Sequence, residues 1–179
     1  DQLVLGPPWD REVFLGPVIN EAAYEKFRRF AALAKRSGKV LTGGNVRTEG
    51  ILRHGYYVEP TIVDRLPKDH RIQREELFVP ILSLLSVRGF DEALRLANDS
   101  EYGLCAGIYT ADEWEMHEFF DRVEAGVCYA NRRQGATTGA IVGAQPFGGW
   151  KLSGTTGRGA GGPYYLESFM REQARTHYV

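Results

Sequence analysis

The chain has 179 residues, 43% hydrophobic and 25% charged, so it can bury a core of about one domain's size. Its 22 basic and 23 acidic residues leave a net charge of −1, and its paired arginines, Arg28-Arg29 and Arg132-Arg133, stand isolated, which argues against a nucleic-acid partner. No apolar run approaches the roughly 18 residues that cross a bilayer. The opening residues show no signal-peptide pattern, and two cysteines make no disulfide framework; a cytoplasmic protein without a membrane partner is expected.

In chain order, Asn20–Gly38 reads as a helix. Tyr24, Phe27, Ala31 and Ala34 recur at helical spacing, Asn20 suits the N-cap, and Gly38 suits the stop. Val40–Thr42 reads as a short strand ending at Gly43-Gly44. Tyr56–Val63 is rich in strand formers, but Pro60 makes it an edge strand or an interrupted one. Pro80–Val87 has the length of a buried strand, and Phe90–Asn98 places Ala93, Leu94 and Ala97 on one helical face. Cys105–Tyr109 is a strand. Thr110 caps a helix reaching Val123, with Glu113 placed for a capping box and Trp114, His117 and Phe120 at helical intervals. Gly126–Ala130 is a further apolar run, and the tail after Gly162 reads as a helix followed by a strand.

Apolar strands alternating with amphipathic helices predict an α/β fold, with a mostly parallel sheet and flanking helices. Glycine is in excess at 21 residues, many of them within Gly135–Gly162. A long glycine-rich loop in a compact chain is more often functional than ornamental.

Standard catalytic patterns are missing. His54, His70, His117 and His177 have no metal-ligand spacing, so no metal site is expected. Gly157–Gly162 superficially resembles a dinucleotide fingerprint, but it follows no clear strand and no acidic residue stands about 20 positions on. Cys105 and Cys128 lie in apolar, strand-like surroundings, where a thiol usually packs as a small inert hydrophobe; no His, Lys or helix start is at hand to activate Cys128. Glu75–Pro80 has two readings. One is a solvated helix end followed by a core Phe; the other is a carboxylate for a sugar diol beside an aromatic face for a planar ring. Gly139–Gly149 is either a connector or a nest of backbone N–H groups that holds an anion.

Taken together and in order, these segments resemble the aldehyde dehydrogenase superfamily. The resemblance is carried by Gly16-Pro17-Val18-Ile19, by Glu75-Glu76-Leu77-Phe78-Val79-Pro80, and by Ala97–Leu104 with Ala106-Gly107. Ala125-Gly126 with Asn131, and Pro146–Gly154, complete the set. It covers nearly the whole chain. Thr138–Gly149 is similar to the 1-pyrroline-5-carboxylate dehydrogenase branch, which oxidises L-glutamate γ-semialdehyde to L-glutamate with NAD+.

The resemblance implies an aldehyde dehydrogenase catalytic-domain fold, with residues 1–154 as the later part of that domain and 155–179 as a C-terminal helix and oligomerisation arm. It implies that Glu76 bonds the nicotinamide-side ribose and that Phe78 packs near the nicotinamide. Gly139 and Ala140 would hold the substrate's α-carboxylate through backbone N–H groups, and Phe147 would pack on its aliphatic chain. Val79 departs from the family's usual glycine and is expected to stiffen the backbone. The family's nucleophilic cysteine, its catalytic glutamate and the oxyanion asparagine correspond to positions upstream of Asp1–Gly16, so no catalytic residue is expected here. A missing N-terminal cofactor domain and further copies of the chain are the expected protein partners. Two alternatives stay open: a non-catalytic oligomerisation module, and a dehydrogenase for another semialdehyde such as succinate semialdehyde.

Overall fold

The computed structural model describes residues 3–132, 141, 143–154 and 158–179. The chain forms two compact units, residues 1–86 and residues 87–179.

The first unit is organised by helix α1, Glu21–Ser37. Asn20 caps it, its side-chain oxygen accepting from the Ala23 N–H at 2.9 Å, and Gly38 ends it. Phe27, Phe30, Ala31 and Ala34 are its buried stripe, so Phe30 joins the predicted positions. They divide between two small cores. Phe30 and Ala34 pack with Val63, Leu66, Ile72 and Leu77, whereas Phe27 and Ala31 pack with Val58.

The sheet of this unit has the order β1-β2-β3, with β1 Lys39–Thr42, β2 Thr61–Asp64 and β3 Ile81–Ser83. β1 and β2 are antiparallel, and β2 and β3 are parallel. The expectation of a mostly parallel sheet is therefore too simple: the sheets are small and mixed. Between β1 and β2 the chain has only a glycine turn and a 3-10 turn, Gly50–His54, in place of the crossover helix that parallel pairing requires. Gly43 turns at φ 73°, where a Cβ would overlap the Pro60 carbonyl. The buried Thr61 hydroxyl fastens this turn, accepting from the Gly44 N–H and donating to the Glu59 carbonyl, each at 2.8 Å. Pro60 stands just before β2, which is the central strand; the segment is interrupted, not an edge.

The second unit contains α3 Phe90–Asn98, β4 Tyr102–Gly103, β5 Cys105–Ile108, α4 Glu113–Arg122, β6 Val127–Ala130 and β7 Trp150–Lys151; the single-turn helix α2, Arg71–Arg74, belongs to the first. β5 and β6 pair in parallel across α4, which is the βαβ arrangement read from the sequence. β4 and β7 pair antiparallel.

Several sequence expectations fail here. The cap of α4 is Asp112, whose carboxylate accepts from the Trp114 and Glu115 N–H groups at 2.8 and 3.3 Å. Thr110 instead donates to Glu115 at 2.6 Å, so the helix starts later. Its buried face is also rotated. Phe119 and Val123 enter the core with Leu94 and Ala125, while Trp114, His117 and Phe120 are exposed. Likewise Leu94 alone is buried on α3, and Ala93 and Ala97 are exposed. The tail holds one 3-10 turn, Leu166–Phe169, and residues 170–179 carry no regular element.

Candidate functional site

Glu75–Pro80 follows α2, whose N-cap is His70 accepting from the Ile72 N–H through Nδ1. The two carboxylates of this element have different surroundings. Glu75 is paired with the Arg71 guanidinium, with Nη2 to Oε2 at 3.0 Å and a second short contact from Nε, and this hydrogen-bonded pairing holds its carboxyl below the usual range. Glu76 is exposed and makes no hydrogen bond or ion pair with the described residues. A carboxylate with its acceptor positions open is the kind that can take up a vicinal diol.

The aromatic of the element is not a core residue. Leu77 is 8% exposed and belongs to the first core, and Val79 packs against both cores of the unit. Phe78 between them is 84% exposed, at φ 55°. Left-handed backbone is a rare, strained conformation for a bulky residue, and it persists only where the surroundings over-determine it. Here its two neighbours do so: buried Leu77 and partly buried Val79 anchor the chain on either side and leave the ring outward. The left-handed residue is Phe78, not Val79, so the side chain at 79 meets no left-handed constraint and adds core contact.

In the second unit, Gly139 and Ala140 lie outside the described residues. Phe147 is partly buried, and its backbone pairs antiparallel with Ala160 through N–H to O bonds of 2.7 and 2.9 Å. The glycines around it serve close backbone packing. A Cβ on Gly126 would overlap the Gly148 carbonyl, one on Gly154 the Gly149 carbonyl, and one on Gly148 would lie 2.7 Å from Gly159 Cα. The nearby cavity, about 230 Å³, is lined by Gly126, Pro146, Gly148, Trp150 and Tyr164 among others.

Cys105 and Cys128 sit on neighbouring parallel strands. Burial pushes both thiols up, and for Cys128 the nearby Cys105 adds to the effect; the Cys128 thiol donates to the Ala125 carbonyl at 3.3 Å. Each influence favours the neutral thiol over a nucleophilic thiolate. Among the described residues no group of three His, Cys, Asp or Glu side chains could hold a metal ion, and no helix is long and apolar enough to cross a membrane.

Sequence reasoning assigns no role to Asn98, Glu124 or Lys151. The structure joins them: Asn98 Oδ1 accepts from the Glu124 N–H at 2.9 Å, and Lys151 Nζ reaches the Asn98 carbonyl at 2.5 Å and the Glu124 carboxylate at 2.6 Å. Asn98 and Lys151 are visible in sequence only as letters within motifs, and nothing local links positions so far apart.

Known proteins share this combination of elements. The chain is 38% identical over 175 residues to a 1-pyrroline-5-carboxylate dehydrogenase of a Geobacillus species, and 39% identical over 174 residues to that of Bacillus subtilis. These alignments cover 98% and 97% of this chain but 32% of each relative, so the chain spans about a third of their length. The structure of a Thermus 1-pyrroline-5-carboxylate dehydrogenase with bound NAD superposes with a TM-score of 0.83 at 38% identity, over 94% of this chain and 31% of that one. A Staphylococcus aureus betaine aldehyde dehydrogenase in complex with NAD+ gives 0.84 at 28% identity, over 94% of this chain and 33% of that one. Residues 1–174 match the sequence pattern of the aldehyde dehydrogenase family, and this chain belongs to that family.

Proposed function

We propose that this chain is the part of an NAD-dependent L-glutamate γ-semialdehyde dehydrogenase that presents Glu76 and Phe78 to the cofactor and Gly139, Ala140 and Phe147 to the substrate. The observation that carries the reading is the Glu75–Pro80 element, with Glu76 unpartnered among the described residues and Phe78 exposed between the buried Leu77 and the partly buried Val79. A carboxylate acceptor beside an exposed ring suits a ribose diol and a planar heterocycle. Bound NAD+ supplies the hydride acceptor of the reaction. Glu76 would hold the ribose, Phe78 would support the ring face, and the loop of residues 138–149 would anchor the substrate's α-carboxylate at one end. Anchoring the far end of a small polar aldehyde converts binding into orientation of its reactive end. The naming of the Geobacillus, Bacillus and Thermus relatives as 1-pyrroline-5-carboxylate dehydrogenases supports the substrate, and the NAD-bound Thermus structure supports the cofactor.

The nucleophile and the remainder of the cofactor site would come from polypeptide outside these residues, and the setting proposed is the reducing cytoplasm. Residues 155–179 would act as an arm that joins copies of the chain; Leu166, Phe169 and Met170 there are exposed. The test is steady-state kinetics of the complete polypeptide that carries this chain. Glutamate γ-semialdehyde with NAD+ is expected to be preferred over succinate semialdehyde, and the 179 residues alone are expected to show no turnover. Preference for succinate semialdehyde would overturn the substrate, and enzyme-like turnover by the 179 residues would overturn the division of labour.

A further inference from the structure

We propose that Asn98, Glu124 and Lys151 form a clasp that positions the Phe147 segment, making them positioning residues for recognition of a carboxylated aldehyde; this rests on the substrate reading above. The segment after β6 begins at Asn131 and runs into β7, of which Lys151 is the last residue. These are two of the four non-glycine residues with left-handed backbone among those described, at φ 51° and 54°. Such a conformation marks a place where the surroundings dictate the backbone.

The two ends are held differently. At Asn131 the backbone N–H donates to the Ile108 carbonyl at 2.8 Å, and the side-chain amide exchanges bonds with both backbone groups of Thr110 at 2.9 and 3.0 Å. These neutral bonds extend a four-residue strand pair, β5–β6. At Lys151 the ladder is only two residues long, Tyr102 to Lys151 and Gly103 to Trp150, too short to fix the direction of the chain. The clasp supplies what the ladder lacks. Lys151 Nζ ties β7 to the Asn98 carbonyl and the Glu124 carboxylate. The Asn98 amide in turn binds the Glu124 N–H at 2.9 Å and the Arg122 carbonyl at 2.8 Å, so the ends of α3 and α4 are held with it. The Leu152 N–H to the Glu101 carbonyl at 3.0 Å and the Gly103 N–H to Ser153 Oγ at 3.1 Å complete the attachment. Phe147 stands four residues before Lys151, so a change of angle at the clasp is carried into its position.

The lysine and glutamate side chains are 24% and 50% exposed, and a pair so placed adds little to global stability. The clasp's contribution therefore lies in geometry. Misplacing a substrate-positioning group costs rate or affinity out of proportion to the strength of the bonds that hold it.

The experiment uses the complete enzyme with Lys151→Met, with Glu124→Gln as the milder variant should the first fail to fold, and Lys151→Arg as the conservative one. KM for glutamate γ-semialdehyde is expected to rise about tenfold, with kcat within about twofold and KM for acetaldehyde, which has neither a carboxylate nor a chain long enough to use Phe147, unchanged. Lys151→Arg is expected to restore most of the affinity. Equal shifts for both aldehydes, a loss in kcat alone, or no shift would overturn the clasp. Should the wild type itself show no preference for the carboxylated aldehyde, the substrate reading fails, and the clasp is judged by hydrogen exchange at the Phe147 and Ala160 amides. Faster exchange in Lys151→Met supports it, and unchanged exchange overturns it.

Discussion

The Glu75–Pro80 element of the first unit and the glycine-rich segment Pro146–Gly154 of the second unit position their residues by opposite means. In the first, side-chain volume does the positioning: Leu77 and Val79 fill cores, and Phe78 is left outward. In the second, the absence of side chains does it, because Gly126, Gly148, Gly149 and Gly154 allow backbones to touch where any Cβ would intrude. The two regions should therefore fail under opposite substitutions, one when volume is removed and the other when it is added.

The largest effect is expected from Gly126→Ala. Its Cβ would overlap the Gly148 carbonyl, a backbone atom that cannot swing aside like a side chain, so the cost is about 3 kcal/mol. The midpoint of urea unfolding measures it. A loss below about 1 kcal/mol would mean that the backbone pair yields easily, and the contrast between the regions would disappear. In the first unit the matching change is Leu77→Ala, which empties part of a core and is expected to cost about 2–3 kcal/mol.

Next is Phe78, where stability and function should separate. Phe78→Ala removes an exposed ring and is expected to change stability by less than about 0.5 kcal/mol. Phe78→Gly relieves left-handed backbone worth about 1 kcal/mol and should be at least as stable as the alanine variant. Both are expected to raise KM for NAD+ in the complete enzyme by about tenfold, as is Glu76→Gln, while Glu75→Gln leaves it unchanged. Equal responses from Glu75 and Glu76 would erase the distinction between the paired and the open carboxylate.

These residues also show what the sequence could and could not reveal. Helix α1 with its Asn20 cap, helix α3, and the strand pair β5–β6 across α4 were legible, because capping and periodicity are local signals. The mixed sheet was not, since an apolar strand has the same period whether its neighbour runs parallel or antiparallel. The buried face of α4 was not legible either, because Trp114, Phe119 and Phe120 offer apolar side chains on more than one side of the helix; likewise Asp112 and Thr110 are both good N-cap residues, and only the tertiary structure shows which one the helix uses. Phe78 was ambiguous for a different reason. Residue type argues for burial, but a single left-handed φ turns the side chain outward, and no one-dimensional pattern reports it. The clasp of Asn98, Glu124 and Lys151 depends on hydrogen bonds across 26 to 53 positions and was out of reach of motif reading.

The smallest effect distinguishes the units by pH. Glu75 in the first unit has its carboxyl held low by Arg71, so its contribution is present above the unfolded value of about 4.3 and is lost as pH falls through the lower folded value. The pair lies on the surface, where solvent screens it, and Glu75→Gln should barely alter acid unfolding. In the second unit the Cys128 thiol is raised by burial and by the nearby Cys105, and it donates a hydrogen bond to the Ala125 carbonyl. The sign is reversed. Stability is complete below the unfolded thiol value of about 8.5 and declines as pH rises toward the higher folded value, because the unfolded chain loses its proton first. Urea midpoints between pH 7 and pH 10 should therefore fall less steeply in Cys128→Ala than in the wild type, and iodoacetamide should alkylate Cys128 more slowly than it does an unfolded thiol. Identical slopes together with labelling at the unfolded rate would show that the β5–β6 core admits solvent, and the second unit would then owe less to close packing than its glycine contacts imply.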